Sequence, residues 1–107
     1  MSGAPKAEIF KTAELADYQD NAVVSSQILR AETGNVTLFA FDAGQELSEH
    51  STPFDALLQI LDGEAEIIIS GKSYNMQAGE TIILPADEPH AVKATAQFKM
   101  LLTMIRE

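Results

Sequence analysis

Short apolar runs separated by turn-forming residues recur along most of the chain. Gly, Pro, Asn, Asp and Ser cluster in the stretches ETGN, DAGQ, SGK, QAGE and PADEP, and the runs between them are rich in Val, Ile, Leu and Phe. Short strands that recur about every 8–12 residues are typical of an all-β sandwich or barrel. We therefore predict strands over residues 23–30, 36–42, 56–61, 64–70, 81–84, 91–94 and 98–105.

Three of these runs alternate with a period of two, so that each has one face on which the apolar residues gather. The run at 56–61 is apolar on its other face too, which predicts burial on both sides. Between this run and the next, Asp62-Gly63 predicts a tight hairpin, because Asp-Gly readily supplies positive φ angles. The residues that share a face are Ala56, Leu58 and Ile60, then Ala65, Ile67 and Ile69, then Phe98, Met100, Leu102 and Met104.

The length of 107 residues is enough for one compact domain and too little for two. We place an N-terminal extension at residues 1–22 and the β-barrel domain at residues 23–107. Within the extension, residues 11–20 predict a short turn or helix with Thr12 as its N-cap.

Charge and cysteine content narrow the functions open to this domain. The formal net charge of −9 makes nucleic acid and anionic membrane surfaces poor partners. The absence of cysteine excludes disulfides, thiol catalysis and thiolate metal sites. No apolar run approaches the roughly 18 residues of a membrane span, and the first residues show no signal-peptide pattern. We therefore expect a cytoplasmic protein with no membrane partner.

The chain has only two histidines, and both stand beside predicted strands after a turn that contains Gly or Pro. His50 precedes the strand at 56–61, and His90 follows the stretch PADEP. In an antiparallel barrel, two such positions can meet at the mouth although 40 residues separate them.

The spacing around each histidine resembles a cupin motif. Residues 44–63 resemble the first motif and residues 79–94 the second, and together they are a fairly specific signal. The resemblance covers residues 23–105 and implies a small single-domain cupin of the RmlC-like kind, with a double-stranded β-helix (jelly-roll) barrel. The motif positions that the chain retains are Gly44, His50 and Gly63 in the first motif, and Gly79, Pro85 and His90 in the second.

The chain also departs from both motifs. Of the four metal ligands usual in the family, it keeps only His50 and His90. A resident divalent metal usually has three or more protein ligands. The resemblance thus leaves two interpretations open, namely a weakly held Zn, Ni, Mn or Fe ion, or a hydrogen-bonded histidine pair without metal. Four motif positions are changed, with Thr52 for the second His, Ala56 for the Glu or Gln, Asp87 for a Gly and Ala94 for an Asn.

A third ligand would have to come from outside the motif positions. Glu49, Asp55 and Asp87 are near in sequence, but the strand alternation favours neither Glu49 nor Asp55. With Ala56 in place of a carboxylate, a pocket would gain volume and lose charge. We expect it to accept a small, largely apolar molecule with one polar or anionic group. The predicted pocket residues are His50, Thr52, Ala56, Leu58, His90 and Met100.

Apolar residues also occur on the outward faces of the predicted strands. A monomer rarely leaves such a set exposed, and cupins of this kind are commonly homodimers, so we expect a homodimer. The outward apolar residues are Leu57, Leu61, Leu101 and Ile105.

Three functions remain open. The chain is a binding module for a small molecule, a metal-dependent enzyme (a dioxygenase, isomerase or lyase on a small organic acid), or a structural protein with a vestigial pocket. A pocket filled by Leu58, Phe98 and Met100 favours the last, and an open pocket with both imidazoles inside favours the first.

Overall fold

Antiparallel β-strands make up most of the fold. A computed structural model describes residues 4–106, so the first three residues of the predicted extension and Glu107 lie outside it. The all-β prediction is confirmed, and no helical segment of the described residues is long and apolar enough to cross a membrane. The strands are β1 (Val23–Ala31), β2 (Gly34–Phe41), β3 (Glu46–His50), β4 (Ala56–Ile69), β5 (Lys72–Gln77), β6 (Thr81–Leu84), β7 (His90–Lys93) and β8 (Phe98–Ile105).

Two sheets form the barrel and share one strand. The first sheet contains β1, β2, β8, the first half of β4, and β6. The second contains β3, β7, the second half of β4, and β5. Because β4 belongs to both, the sheets fold over one another and enclose a common interior.

The predicted hairpin at Asp62-Gly63 is wrong, because β4 runs through this point without reversing. Only Gly63 has a positive φ, +74°, whereas the tight turn needs positive φ at both residues. The register against β8 shifts between Ile60 and Asp62, as at a β-bulge, and the strand passes there from one sheet to the other. A Cβ at Gly63 would collide with the backbone oxygen of Gln97, so this bend requires glycine.

Strands β3 and β5 were not predicted from the hydropathy pattern. Most of their residues are polar and exposed, and each strand directs few apolar side chains inward. Leu47 in β3 and Tyr74 and Met76 in β5 supply those contacts. A pattern search that requires apolar runs therefore passes over both strands.

One end of the barrel, which we call the mouth, is closed by two loops that cross between the sheets. Residues 51–55 connect β3 to β4, and residues 85–89 connect β6 to β7. The Asp87 amide donates to the Thr52 carbonyl over 2.7 Å, which ties one loop to the other. The opposite end, where Phe41 and Phe98 lie, we call the base.

The interior is tightly filled at the base and through the middle of the barrel. Phe41 and Phe98 stack with ring centroids 4.5 Å apart, and both are fully buried. The shared faces predicted from the alternation are confirmed, because their members join one buried cluster or pack against it. The buried members from β4 and β8 are Ala56, Leu58, Ile60, Ala65, Ile67, Ile69, Phe98 and Met100.

The N-terminal segment crosses the outer surface of the first sheet. It contains a single 3-10 turn over Thr12–Leu15, and the residue at its N-cap is Lys11, with no side-chain cap hydrogen bond. Thr12 is therefore not the N-cap that the sequence predicted. Ala16 packs on the buried residues Leu38 and Ala40.

Polar contacts fix this segment to the sheet. The Tyr18 hydroxyl donates to the Asp62 carboxylate over 2.5 Å, and burial together with that carboxylate raises the pKa of Tyr18. The Lys99 ammonium donates to the Ala13 carbonyl over 2.6 Å. Leu61 and Leu101, two of the residues expected to need a partner, pack against this segment of the same chain.

Candidate functional site

The two histidines meet at the mouth. His50 ends β3, His90 begins β7, and the two residues are direct partners across this antiparallel pair. His90 also pairs with Ile69, which belongs to the buried core cluster. Directly opposed residues share a face of the sheet, so both imidazoles stand on the interior face at its end.

A hydrogen bond joins the two rings. The Nε2 atoms are 3.1 Å apart, and the rings meet edge to face with centroids at 4.4 Å. His50 Nδ1 lies 2.8 Å from the Ser48 carbonyl, which can only accept, so this nitrogen carries the proton. Neutral His50 therefore presents a bare Nε2, and His90 must donate its Nε2–H to it.

That arrangement leaves His90 with an unsatisfied atom. His90 is only 5% exposed, and its Nδ1 is buried without a hydrogen-bond partner. Burial, followed by the electrostatic effect of the neighbouring His50, lowers the pKa of His90. The Glu88 backbone acts in the opposite direction and raises the pKa of His90. It makes no hydrogen bond with Nδ1. His50, by contrast, is exposed.

The histidine pair supplies part of a metal site and no more. Two imidazole nitrogens on one Zn²⁺, at about 2.0–2.1 Å each, would stand roughly 3–3.4 Å apart, close to the separation of the two Nε2 atoms. The His50 tautomer also suits a ligand, because its Nδ1–H is already held by a carbonyl. Within residues 4–106, however, no group of three His, Asp or Glu side chains could hold a metal. The donor set therefore does not fit a tightly held ion.

The other motif positions do not complete the set. The Thr52 hydroxyl donates to the Phe54 carbonyl over 3.1 Å, so it is already engaged. Ala56 is 4% exposed and packs in the core cluster. The Asp55 carboxylate accepts the Ala86 amide over 2.8 Å. None of these side chains joins the histidines.

Leu58 and Met100, which we expected to line the pocket, lie in the packed interior. Their exposures of 0% and 1% leave no room for water against either side chain. Five cavities among the described residues are each lined by other residues. With Phe98 also fully buried, the interior is filled in the way that we expected of a vestigial pocket, and any ligand contact at His50 and His90 is shallow, at the mouth rather than deep between the sheets.

A row of paired residues that leads to the mouth, with Arg30 and Asn35 as its polar members, was missed in the sequence. Arg30 opposes Asn35, Asn35 opposes Met104, and Met104 opposes Ala56, so all four share the interior face of the first sheet. The Thr37 hydroxyl donates to the Asn35 side-chain oxygen over 3.2 Å. The turn in ETGN was visible, but a turn over residues 32–35 would have placed Arg30 opposite Thr37, whereas the structure has Glu32-Thr33 as the loop and pairs Arg30 with Asn35.

The fold and the paired histidines at its mouth define a small double-stranded β-helix barrel. The cupin domain model matches residues 37–106, which is more than half of the chain. The chain belongs to the cupin domain family, as the two motifs implied. No curated protein matches it.

Solved structures agree with this assignment. A conserved protein of unknown function from Streptococcus pyogenes is 33% identical, with a TM-score of 0.92, covering 100% of this chain and 96% of that one. A cupin 2 conserved barrel domain protein from Leptotrichia buccalis is 38% identical, with a TM-score of 0.88, over 91% of this chain and 47% of that one. A predicted oxalate decarboxylase from Thermotoga maritima is 19% identical, with a TM-score of 0.75, over 79% and 81%. This last likeness shows the fold alone.

Proposed function

We propose that this protein is a small stand-alone cupin that binds a small molecule at the His50–His90 pair. The carrying observation is the buried, unpartnered Nδ1 of His90. An unmade hydrogen bond at a buried polar atom costs about 1–3 kcal/mol, and such atoms usually have a partner. A bound molecule that reaches this end of the barrel would supply the missing donor.

The site favours a ligand with one polar group and an apolar body. His90 is neutral at physiological pH because its pKa is lowered, so its bare Nδ1 accepts a hydrogen bond from a hydroxyl, amide or protonated acid. The exposed His50 ring is the movable half of the pair, because its Nε2 can exchange His90 for a ligand or water. The remaining contacts would come from the apolar residues near the mouth, among them Met104.

A metal-dependent cupin enzyme is the second candidate, a dioxygenase, isomerase or lyase on a small organic acid. The observation in its favour is the 3.1 Å separation of the two Nε2 atoms. When bound, Zn, Ni, Mn or Fe would act there as a Lewis acid or oxygen activator. His50 and His90 would hold it, and water or the substrate would have to complete its ligands.

Metal content of the purified protein, followed by calorimetric titration with Zn, Ni, Mn and Fe(II), separates these candidates. His50→Ala and His90→Ala are run beside the wild type, with Thr52→Ala as the matched control, since Thr52 stands at a motif position but makes only a local hydrogen bond. Stoichiometric metal that both histidine variants abolish and Thr52→Ala retains would favour the enzyme.

Without a heat of metal binding, the binding proposal is tested directly. The ¹⁵N resonances of the imidazoles are followed while small-molecule mixtures are added to the metal-free protein. We expect a binder to shift His90 Nδ1 and to lose affinity in His90→Leu. A broad screen that leaves both imidazoles unshifted would contradict the proposal and favour a vestigial pocket.

We further propose a homodimer in which a second copy packs on the first sheet. A row of four apolar residues and one threonine crosses its outer face, and direct pairings place its members on one side of β1, β2, β8, β4 and β6. The ends of this row are more than half exposed. An uncharged surface suits self-association in a chain of net charge −9, because it brings no like charges together. The row consists of Leu29, Val36, Thr103, Leu57 and Ile83.

Light scattering tests the dimer. We expect a mass of twice 11.6 kDa for the wild type and 11.6 kDa for Ile83→Lys, which puts a charge into the row. Ile9→Lys is the control, because Ile9 is fully exposed and outside the row. A wild type of 11.6 kDa at micromolar concentration would contradict the dimer. A cytoplasmic location stays a prediction from the sequence.

A further inference from the structure

Both arginines of this chain line a single cavity. Arg30, near the end of β1, and Arg106, just after β8, line a surface cavity of about 600 Å³ with Ala31, Glu32 and Asn35. The chain has a net charge of −9 and only two arginines, so it is unusual that both border the same cavity. We propose that this cavity binds the oxyanion group, a carboxylate or phosphate, of a small molecule.

The chemistry of the lining supports an oxyanion. A guanidinium presents paired N–H donors that match two oxygens of a carboxylate or phosphate. The Arg106 guanidinium lies 5.2 Å from the centre of the Phe54 ring, and this cation–π contact limits its freedom. The Arg106 backbone amide donates to the Thr33 carbonyl over 2.6 Å, which anchors the chain where the side chain leaves it.

Asn35 adds a neutral donor to the same cavity. Its side-chain oxygen already accepts the Thr37 hydroxyl, so the amide nitrogen is the group left to donate. Asn35 lies directly opposite Arg30 on the interior face of the first sheet. Arg30, Arg106 and Asn35 therefore border one cavity, and such a set favours negative charge over a neutral polar group.

The position of this oxyanion site indicates what is attached to the anion. A neighbouring cavity of about 280 Å³ shares Arg30, Ala31 and Asn35 with the first and is otherwise lined mainly by apolar residues, including Met104 on the interior face and Leu29 at the end of the proposed dimer row. Met104 stands between Asn35 and Ala56 in the interior row, which leads into the mouth. We therefore infer an amphipathic anion with an apolar tail. The direction of this tail toward the mouth rests on the proposed binding function. The binding of the oxyanion at the arginines does not rest on it.

Glu32 provides a test of opposite sign. It is the carboxylate that lines the arginine cavity, and it opposes any bound anion. Removing it in Glu32→Gln should strengthen anion binding by about two- to fivefold, as expected for one exposed charge. A purely steric or apolar site would not gain affinity from this change.

The experiment is a ¹⁵N-edited NMR titration of the whole protein with hexanoate, hexyl phosphate and inorganic phosphate, with hexanamide as the neutral match. We expect the anions with a tail to bind and hexanamide to bind far more weakly. Arg30→Gln and Arg106→Gln should each weaken anion binding about three- to tenfold, an effect that salt reduces. Lys93→Gln removes the same charge from the outer face of the second sheet and should change nothing.

Each outcome decides the matter. Loss of hexanoate or hexyl phosphate binding in the arginine variants, with Lys93→Gln unchanged, supports the site, and the preferred anion identifies its class. The proposal would be overturned if Arg30→Gln and Lys93→Gln had equal effects, or if hexanamide bound as well as hexanoate. It would also be overturned if the arginine variants changed the oligomeric mass of the protein and not its affinity for the anion. His50→Ala separates the two proposals, because anion binding at the arginines should survive it even if the histidine site proves vestigial.

Discussion

The base and the mouth of this barrel differ in the polarity of their buried side chains. The base is closed by the Phe41–Phe98 stack, and no polar side chain of the described residues is buried within it. The mouth contains His90, the one buried polar residue in residues 4–106, with an unpartnered Nδ1. The base is therefore fully packed, whereas the mouth retains a polar atom without a hydrogen-bond partner. The stability of the fold therefore resides mainly at the base, and any binding activity at the mouth.

This difference predicts that truncations at the base are the most damaging. Phe98→Ala removes a fully buried ring from the stack and should lower the free energy of unfolding by about 3–5 kcal/mol, because it leaves a cavity. Urea denaturation measures the change. Phe10→Ala is the control, since Phe10 is exposed, and it should cost less than about 1 kcal/mol. A loss below about 1.5 kcal/mol in Phe98→Ala would remove the contrast between the two ends.

The bend of β4 at the base should tolerate substitution almost as poorly. Gly63→Ala combines a positive φ with a collision against the Gln97 backbone, and we expect a loss of about 2–4 kcal/mol. Gly71→Ala has φ +82° and open space around the new methyl group, so it should cost only about 1 kcal/mol. The difference between these variants, measured by denaturation, isolates the collision. Equal losses would show that β4 adjusts its bend freely.

At the mouth, an apolar replacement should be nearly neutral. His90→Leu loses the hydrogen bond to His50 but also removes a buried nitrogen that has no partner. These effects offset each other, so the free energy of unfolding should change by no more than about 1 kcal/mol in either direction. A loss as large as that of Phe98→Ala in the same denaturation experiment would mean that His90 is a structural residue, and the comparison would fail.

The pH dependence should be the smallest effect and should come from the mouth alone. Burial lowers the pKa of folded His90 below its ordinary value of 6.5, so the unfolded chain takes up this proton first. Stability from this group is complete above pH 6.5 and declines as the pH falls from there to the lowered folded value. Denaturation midpoints from pH 8 to pH 5 should show this decline in the wild type. The same decline in His90→Leu would assign it to other groups.

The sequence predicts the base better than the mouth, for a physical reason. Burial selects apolar residues at every second position, so Ala65, Phe98 and Met100 reveal their face by composition alone. Spacing was also enough to bring His50 and His90 together. Hydrogen-bond partners, tautomers and the filling of the interior depend on three-dimensional packing, and no one-dimensional pattern records them.

Two misjudged elements illustrate the limit. Asp62-Gly63 has the composition of a hairpin turn, yet the tertiary pairing of β4 with both sheets overrides this local preference. Leu61 and Leu101 looked like surfaces for a partner because the path of residues 11–20 could not be foreseen. In both cases the local preference of the residues was identified correctly, but the strand or segment that packs against them could not be predicted from the sequence.

The shared strand β4 also controls the width of the opening. Its first residue, Ala56, and its last, Ile69, stand on opposite lips of the barrel, because the loops at 51–55 and 85–89 bridge the sheets at that end. The distance between these two residues therefore depends on the bend of β4 at Gly63, which lies at the base. A change at this distant glycine would therefore alter the spacing of Ala56 and Ile69 without touching any residue at the mouth.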